Sequence, residues 1–238
     1  VLERLAVDRA PLAALLGQHS SVMLKDNVLE VLFGSGRGFF VTSIQDKDLR
    51  AVERADVVLI VLDATQGVTE QDKRIAGYVH EAGKANIIVV NKWDLVEKDE
   101  RTMREYDRMI REELKFLAYA PILYLSALTG RRVGKVLELV DFVAEQYARR
   151  VPTAELNRVL REALQLNPPP GAGKKKVRIH YITQVRTQPP TFVLFVNHPD
   201  LVHFSYLRYL ENHLRQNFGF EGTPIRIMLR QSESRPAQ

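Results

Sequence analysis

Asn86-Ile87-Ile88-Val89-Val90-Asn91-Lys92-Trp93-Asp94 is the stretch from which the rest of the chain can be read. Ile87 to Val90 form a short, continuous, β-branched apolar run, the signature of a strand buried on both faces. A polar tetrapeptide ends it, where a parallel sheet presents its ligands. Upstream, Ala55-Asp56-Val57-Val58-Leu59-Ile60-Val61-Leu62 repeats the pattern. Between the two runs, Thr69-Glu70-Gln71-Asp72 opens a helix: Thr69 can cap it, Asp72 can answer three residues later, and Gly83 can stop it. Downstream, Thr102 to Leu117 sets Met103, Tyr106, Ile110, Leu114 and Leu117 near one helical face. Pro121-Ile122-Leu123-Tyr124-Leu125 is a third strand, and Val133 to Tyr147 a third helix. Strands and helices alternate, so the expected class is α/β, with a parallel sheet and right-handed crossovers.

The order changes after Arg149-Arg150-Val151-Pro152-Thr153, which sets the expected domains at residues 1–150 and 151–238. A helix from Thr153 to Leu166 leads into the Asn167-Pro168-Pro169-Pro170-Gly171-Ala172-Gly173 loop. Two strands (Lys176 to Val185, Thr191 to Asn197), a helix near Leu201 to Phe218 and a strand from Pro224 to Leu229 follow. This α-β-β-α-β order predicts an α+β sandwich with one sheet face covered. Residues Gln231 to Gln238 read as a frayed end.

Composition narrows the function. The 238 residues are 45% hydrophobic, enough for one sizeable core or two modest ones. The absence of Cys excludes disulfides and Cys-based metal sites and fits a reducing cytoplasm. No apolar run reaches the roughly 20 residues of a membrane helix, and Val1-Leu2-Glu3-Arg4 carries no signal-peptide pattern, so no membrane partner is expected. Residues 151–238 hold 12 Lys and Arg against 6 Asp and Glu, whereas residues 1–150 hold 22 against 23. The whole positive excess therefore belongs to the second part, as for a domain that meets a polyanion such as RNA. A basic surface without a special partner gives the same count.

The chemistry sits at two strand ends. Guanine presents N1–H and its exocyclic amino group side by side, and an ionised Asp94 accepts both, each bond being worth roughly 1.5–3 kcal/mol. Adenine has an acceptor where guanine has N1–H, so the same carboxylate repels it. Asn91 can bond the N7/O6 edge and tie neighbouring loops together, and the stem of Lys92 can lie over the base. After the next strand comes Ser126-Ala127-Leu128, where the Ala127 N–H can donate to O6. Asn-Lys-x-Asp alone matches by chance in roughly a few per cent of chains this long. Its placement after one buried strand, with Ser-Ala after the next, is specific.

With those residues in hand, the chain resembles Der (EngA), a bacterial GTPase family with two tandem G domains and a C-terminal KH-like domain. The likeness runs from about Leu49 to Leu229. It is carried by Glu53-Arg54-Ala55-Asp56-Val57-Val58, Val68-Thr69-Glu70-Gln71-Asp72-Lys73-Arg74-Ile75-Ala76-Gly77, Asn91-Lys92-Trp93-Asp94, Pro189-Pro190-Thr191-Phe192 and Phe218-Gly219-Phe220-Glu221-Gly222-Thr223-Pro224. The resemblance implies a Ras-like P-loop NTPase fold followed by a KH-like domain, GTP/GDP binding and hydrolysis with Mg2+, and assembly of the large ribosomal subunit. It implies rRNA as partner, no DNA, a cytoplasmic location and a monomer.

Residues 1–48 depart from the family. A phosphate loop ends in Gly-Lys-Ser/Thr, whose amides cradle phosphates while the hydroxyl holds Mg2+. Gly34-Ser35-Gly36-Arg37-Gly38 lacks that ending and lacks the Asp of an Asp-x-x-Gly switch. Gly130-Arg131-Arg132-Val133-Gly134-Lys135-Val136 has no hydroxyl and follows the wrong strand; it reads as the start of the last helix of its domain. Val22 to Phe33 reads as a hairpin around Asp26-Asn27. No catalytic residue is assigned.

Gly219-Phe220-Glu221-Gly222 spells the G-x-x-G of KH loops, yet lies between a helix and a strand and carries an acid, so a plain turn is expected. Lys174-Lys175-Lys176 with Arg178 is the better candidate for phosphate contact. His180, His198, His203 and His213 lack metal spacing, and no metal site is expected. The leading reading is a Der-like guanine-nucleotide-binding protein of ribosome biogenesis. The alternative is an RNA- or ribosome-binding scaffold without nucleotide handling.

Overall fold

The computed structural model describes residues 20–25, 28–33, 38–42, 49–171 and 175–232, with side chains from Val52 onward. The Gly34–Arg37 stretch, the Asp26-Asn27 turn, Lys174 and the last six residues lie outside the described residues. The chain divides into two units: Val1–Glu145 with Glu221–Pro224, and Gln146–Phe220 with Ile225–Gln238.

The first unit holds a six-stranded sheet in sequential order, β1 (Ser20–Lys25), β2 (Val28–Phe33), β3 (Gly38–Thr42), β4 (Val57–Asp63), β5 (Ala85–Asn91) and β6 (Ile122–Tyr124). β1 and β2 form the antiparallel pair expected of the hairpin, β2 pairs antiparallel with β3, and β3 to β6 run parallel. The parallel strands are linked by helices α1 (Leu49–Arg54), α2 (Glu70–Glu81) and α3 (Thr102–Glu113), and α4 (Gly134–Ala148) follows β6.

β5 is buried along its whole length, as its uninterrupted apolar run requires. Its side chains alternate between faces: Ile88 and Val90 join Val58, Ile60 and Leu62 of β4 in one core with Ala76 and Val79 of α2 and Ile110 of α3. α2 begins as the sequence implies. The Thr69 hydroxyl accepts from the Asp72 amide at 3.3 Å, and the Asp72 carboxylate accepts the Thr69 N–H at 2.8 Å, a full capping box. The amphipathic stretch that the sequence extends to Leu117 ends earlier. α3 stops at Glu113, Leu114 leaves the helical region (φ −115°, ψ 50°), and a short 3-10 turn covers Lys115–Leu117. The Arg111 guanidinium bonds the carbonyls of Leu117 and Ala120 and fixes this turn. Leu114 and Leu117 are still buried, but Met103 is exposed; Met109 packs against the core instead. The Gly130–Val136 segment turns back on itself, with the Ser126 N–H donating to the Arg131 carbonyl at 3.1 Å, and α4 starts at Gly134.

The second unit has the expected α-β-β-α-β order: α5 (Thr153–Leu166), β7 (Ile179–Arg186), β8 (Thr191–Val196), α6 (Phe204–Phe218) and β9 (Arg226–Gln231). β8 is central, antiparallel to β7 and parallel to β9. Leu156, Leu160 and Ala163 of α5 and Tyr206, Leu210 and Leu214 of α6 cover Phe192, Leu194 and Val196 of β8. Gly219-Phe220-Glu221-Gly222 is a turn, and Phe220 is a fully buried ring set edge-on against Phe192. Within the second unit, the Gln146 side chain accepts the Phe220 N–H at 2.9 Å.

Two asparagines anchor β7. Asn157 on α5 uses both ends of its amide on Ile182, donating to its carbonyl at 2.9 Å and accepting its N–H at 3.0 Å. Asn197 likewise donates to the Lys176 carbonyl and accepts the Arg178 N–H.

Candidate guanine-nucleotide site

The parallel strands β4, β5 and β6 end together, and their carboxyl ends bring Asp63, Asn91 and the Leu125-Ser126-Ala127 turn side by side. Backbone bonds lock the ends: the Ala64 N–H donates to the Asn91 carbonyl at 2.9 Å, Leu125 N–H to Val90 at 2.9 Å and Trp93 N–H to Leu125 at 3.1 Å.

Asn91 is buried, and its Oδ1 accepts the Ala127 N–H at 3.0 Å. It therefore ties the end of β5 to the loop after β6, while the Ala127 amide that sequence reasoning aimed at a guanine O6 is engaged by Asn91. Ser126 is buried, and its Oγ accepts the Thr129 N–H at 3.2 Å. Leu128 is exposed.

Lys92 has φ 60° and ψ 29°, the left-handed region that a non-glycine residue enters at a cost of about 1–3 kcal/mol. Its ammonium pairs with the Asp63 carboxylate, a partner the sequence reading missed because it ended the β4 run at Leu62. Asp63 also accepts from the Thr65 amide at 2.9 Å and the Thr65 hydroxyl at 2.7 Å. Burial alone would raise the Asp63 carboxyl, but the Lys92 ammonium and Thr65 outweigh it and hold the group below the ordinary carboxylate range. The available signal was an acid placed where a buried strand runs out.

Trp93, between the two candidate contacts, is the anchor. It is buried edge-on against Tyr106, with centroids 4.9 Å apart, and packs on Tyr124 at 4.4 Å. The Tyr106 hydroxyl donates to the Ala64 carbonyl, and the Tyr124 hydroxyl to Asp107. Burial, reinforced by Asp107, pushes the Tyr124 phenol far above its ordinary range, so it stays a donor. Asp94 follows in a short 3-10 turn (Trp93–Leu95), and its Oδ1 is shut off from solvent with no hydrogen-bond donor.

The remaining candidates lie in the second unit. Lys175, Lys176 and Arg178 are exposed beside the start of β7. Among the described residues, no group of three or more His, Asp or Glu side chains is placed to hold a metal ion. No described helix is long and apolar enough to cross a membrane.

Residues 45–146 match the family model of the elongation factor Tu GTP binding domain, and residues 150–230 that of the KH-domain-like C-terminal region of EngA bacterial GTPase enzymes. GTPase Der of Moorella thermoacetica is 64% identical over 187 residues, 79% of this chain and 43% of that protein. GTPase Der of Desulforamulus reducens is 59% identical over the same length. Over that stretch the chain is a homologue of GTPase Der. It spans less than half the length of these relatives. Among solved structures, Era of Aquifex aeolicus bound to GDP and AlF4− aligns over 94% of this chain and 89% of that one, at 19% identity and a TM-score of 0.41.

Proposed function

We propose that the chain recognises guanine nucleotides through Asn91, Lys92, Asp94 and the Ser126-Ala127-Leu128 turn, and that its second part contacts ribosomal RNA. The observation that carries the first half is the convergence of Asn91, Lys92 and the Ser126-Ala127 turn at the carboxyl ends of β5 and β6, with Asp94 in the short turn that follows Lys92. A guanine edge presents two adjacent donors, which suit the Asp94 carboxylate. Lys92 supports the reading: Asp63 holds its ammonium at the ends of the parallel strands. The +6 excess of residues 151–238 supports the second half.

In this reading residues 1–150 act as the G domain and residues 151–238 as the KH-like domain, in the cytoplasm, as a monomer at the large ribosomal subunit. Mg2+ enters with GTP, as the Der likeness implies. Titration calorimetry tests it. Guanosine and GDP bind, adenosine and ADP do not, and Asp94→Asn transfers the preference to xanthine nucleotides, whose C2 carbonyl accepts from the new amide. Equal guanine and adenine affinity in the unchanged chain overturns the assignment and leaves the scaffold reading.

A further inference from the structure

The helices cover one face of the β7-β8-β9 sheet, and the opposite face is paved by aromatic and basic side chains. Ile182 of β7, Phe192, Leu194 and Val196 of β8, and Ile227 and Leu229 of β9 pack into the core. Alternation then sends Val193 and Phe195 of β8 and Met228 and Arg230 of β9 the other way, and register places Tyr181 opposite Phe195. The rings of Tyr181 and Phe195 are stacked, with centroids 4.2 Å apart and planes 9° from parallel. The next residue in that cross-strand row is Arg230, which is exposed. Tyr181 is 42% exposed, Val185 53% and Met228 57%, which is unusual for large apolar residues of one small sheet.

We propose that this open face is a stacking platform for single-stranded RNA, with a base set against the Tyr181–Phe195 pair and Arg230 on the adjacent phosphate. The proposal rests on the reading that residues 151–238 meet RNA, and it names where and in what form. Three properties select this occupant. An aromatic pair already stacked on a sheet surface offers a π-face that any base can extend, at little entropic cost to the protein. Strands β7, β8 and β9 contain three arginines, at 186, 226 and 230, and no acidic residue, so the surface around the rings suits a polyanion. A duplex keeps its bases stacked on each other and cannot use exposed rings; unpaired bases can.

The test is fluorescence anisotropy on the full chain, with a labelled single-stranded oligouridylate of about ten nucleotides and a duplex of equal length. The single strand binds more tightly. Tyr181→Ala and Phe195→Ala each weaken it by roughly tenfold with the salt slope unchanged, and Tyr181→Phe restores affinity. Arg230→Gln lowers the log–log salt slope by about one. Circular dichroism melts of the alanine variants remain close to the parent, because Tyr181 stands outside the core. RNA binding that survives both alanine substitutions overturns the platform and leaves the RNA reading intact. No RNA binding at low salt overturns both. Self-association measured by sedimentation and lost in Tyr181→Ala, with RNA binding unaffected, assigns the face to a second protein surface instead.

Discussion

At the scale of single residues, the candidate site is a set of held positions. Asn91 is committed to the Ala127 amide, Lys92 to Asp63, and Trp93 to two tyrosine rings, which leaves Asp94 with unmet acceptor capacity. Asp63 gives this arrangement a pH signature. Its carboxyl is held low in the fold, so its contribution is complete above the unfolded value near 3.9 and is lost as pH falls through the lower folded value. Asp63→Asn is therefore expected to lower thermal stability at pH 5, and the gap to the parent to narrow as pH falls below the unfolded value. Parallel curves over that range would show that the ion pair stabilises nothing. The motif residues were legible because Asn-Lys-x-Asp is contiguous and ends a buried run. Asp63 was not, because its role depends on a lateral pairing between β4 and β5 that places it beside Asn91. The Ala127 amide was assigned from its position after a strand, and only the folded Asn91 side chain shows what it bonds.

At the scale of elements, local chemistry decided most boundaries. The capping box of α2 was readable as Thr69 and Asp72, and both bonds form. Thr69→Ala is expected to cost about 1 kcal/mol of stability, read as a shifted denaturation midpoint with unchanged slope. An unchanged midpoint would mean that packing of Ala76 and Val79 holds the helix without its cap. The end of α3 was not readable, since the apolar spacing continues through Leu117 after the helix has stopped. Periodicity marks which residues are buried; the bonds from Arg111 to Leu117 and Ala120, which it cannot mark, decide the backbone. Met103 failed for a related reason, as Met109 fills the core position that spacing also offered.

For the whole molecule, two outcomes follow from charge and from what the first 48 residues contain. Binding of the chain to ribosomal RNA is expected to weaken steeply with salt, because every phosphate contact releases counterions. Changing Lys174, Lys175 and Lys176 together to Glu flattens that slope; an unaltered slope would mark them as a solvated loop. Phosphoryl transfer depends on a phosphate cradle and charge neutralisation at the β and γ oxygens. No Gly-Lys-Ser/Thr sequence occurs in the chain. Phosphate release from GTP is therefore expected to stay at the level of an Asp94→Ala control. Mg2+-dependent turnover that disappears in that variant would show a phosphate site in residues 1–48. The α/β class and the order of both units were visible from runs and breaks in the sequence. The sequential strand order was not, because which strands become neighbours is a tertiary choice.

Asn157 has a consequence for how these molecules meet one another. β7 is an outer strand, and a bare outer strand offers its amides and carbonyls to any other extended chain. At Ile182 both backbone groups are already taken by one side chain of α5. The sheet is thereby closed to edge-to-edge polymerisation at that point by a single carboxamide, which mimics the strand it keeps away.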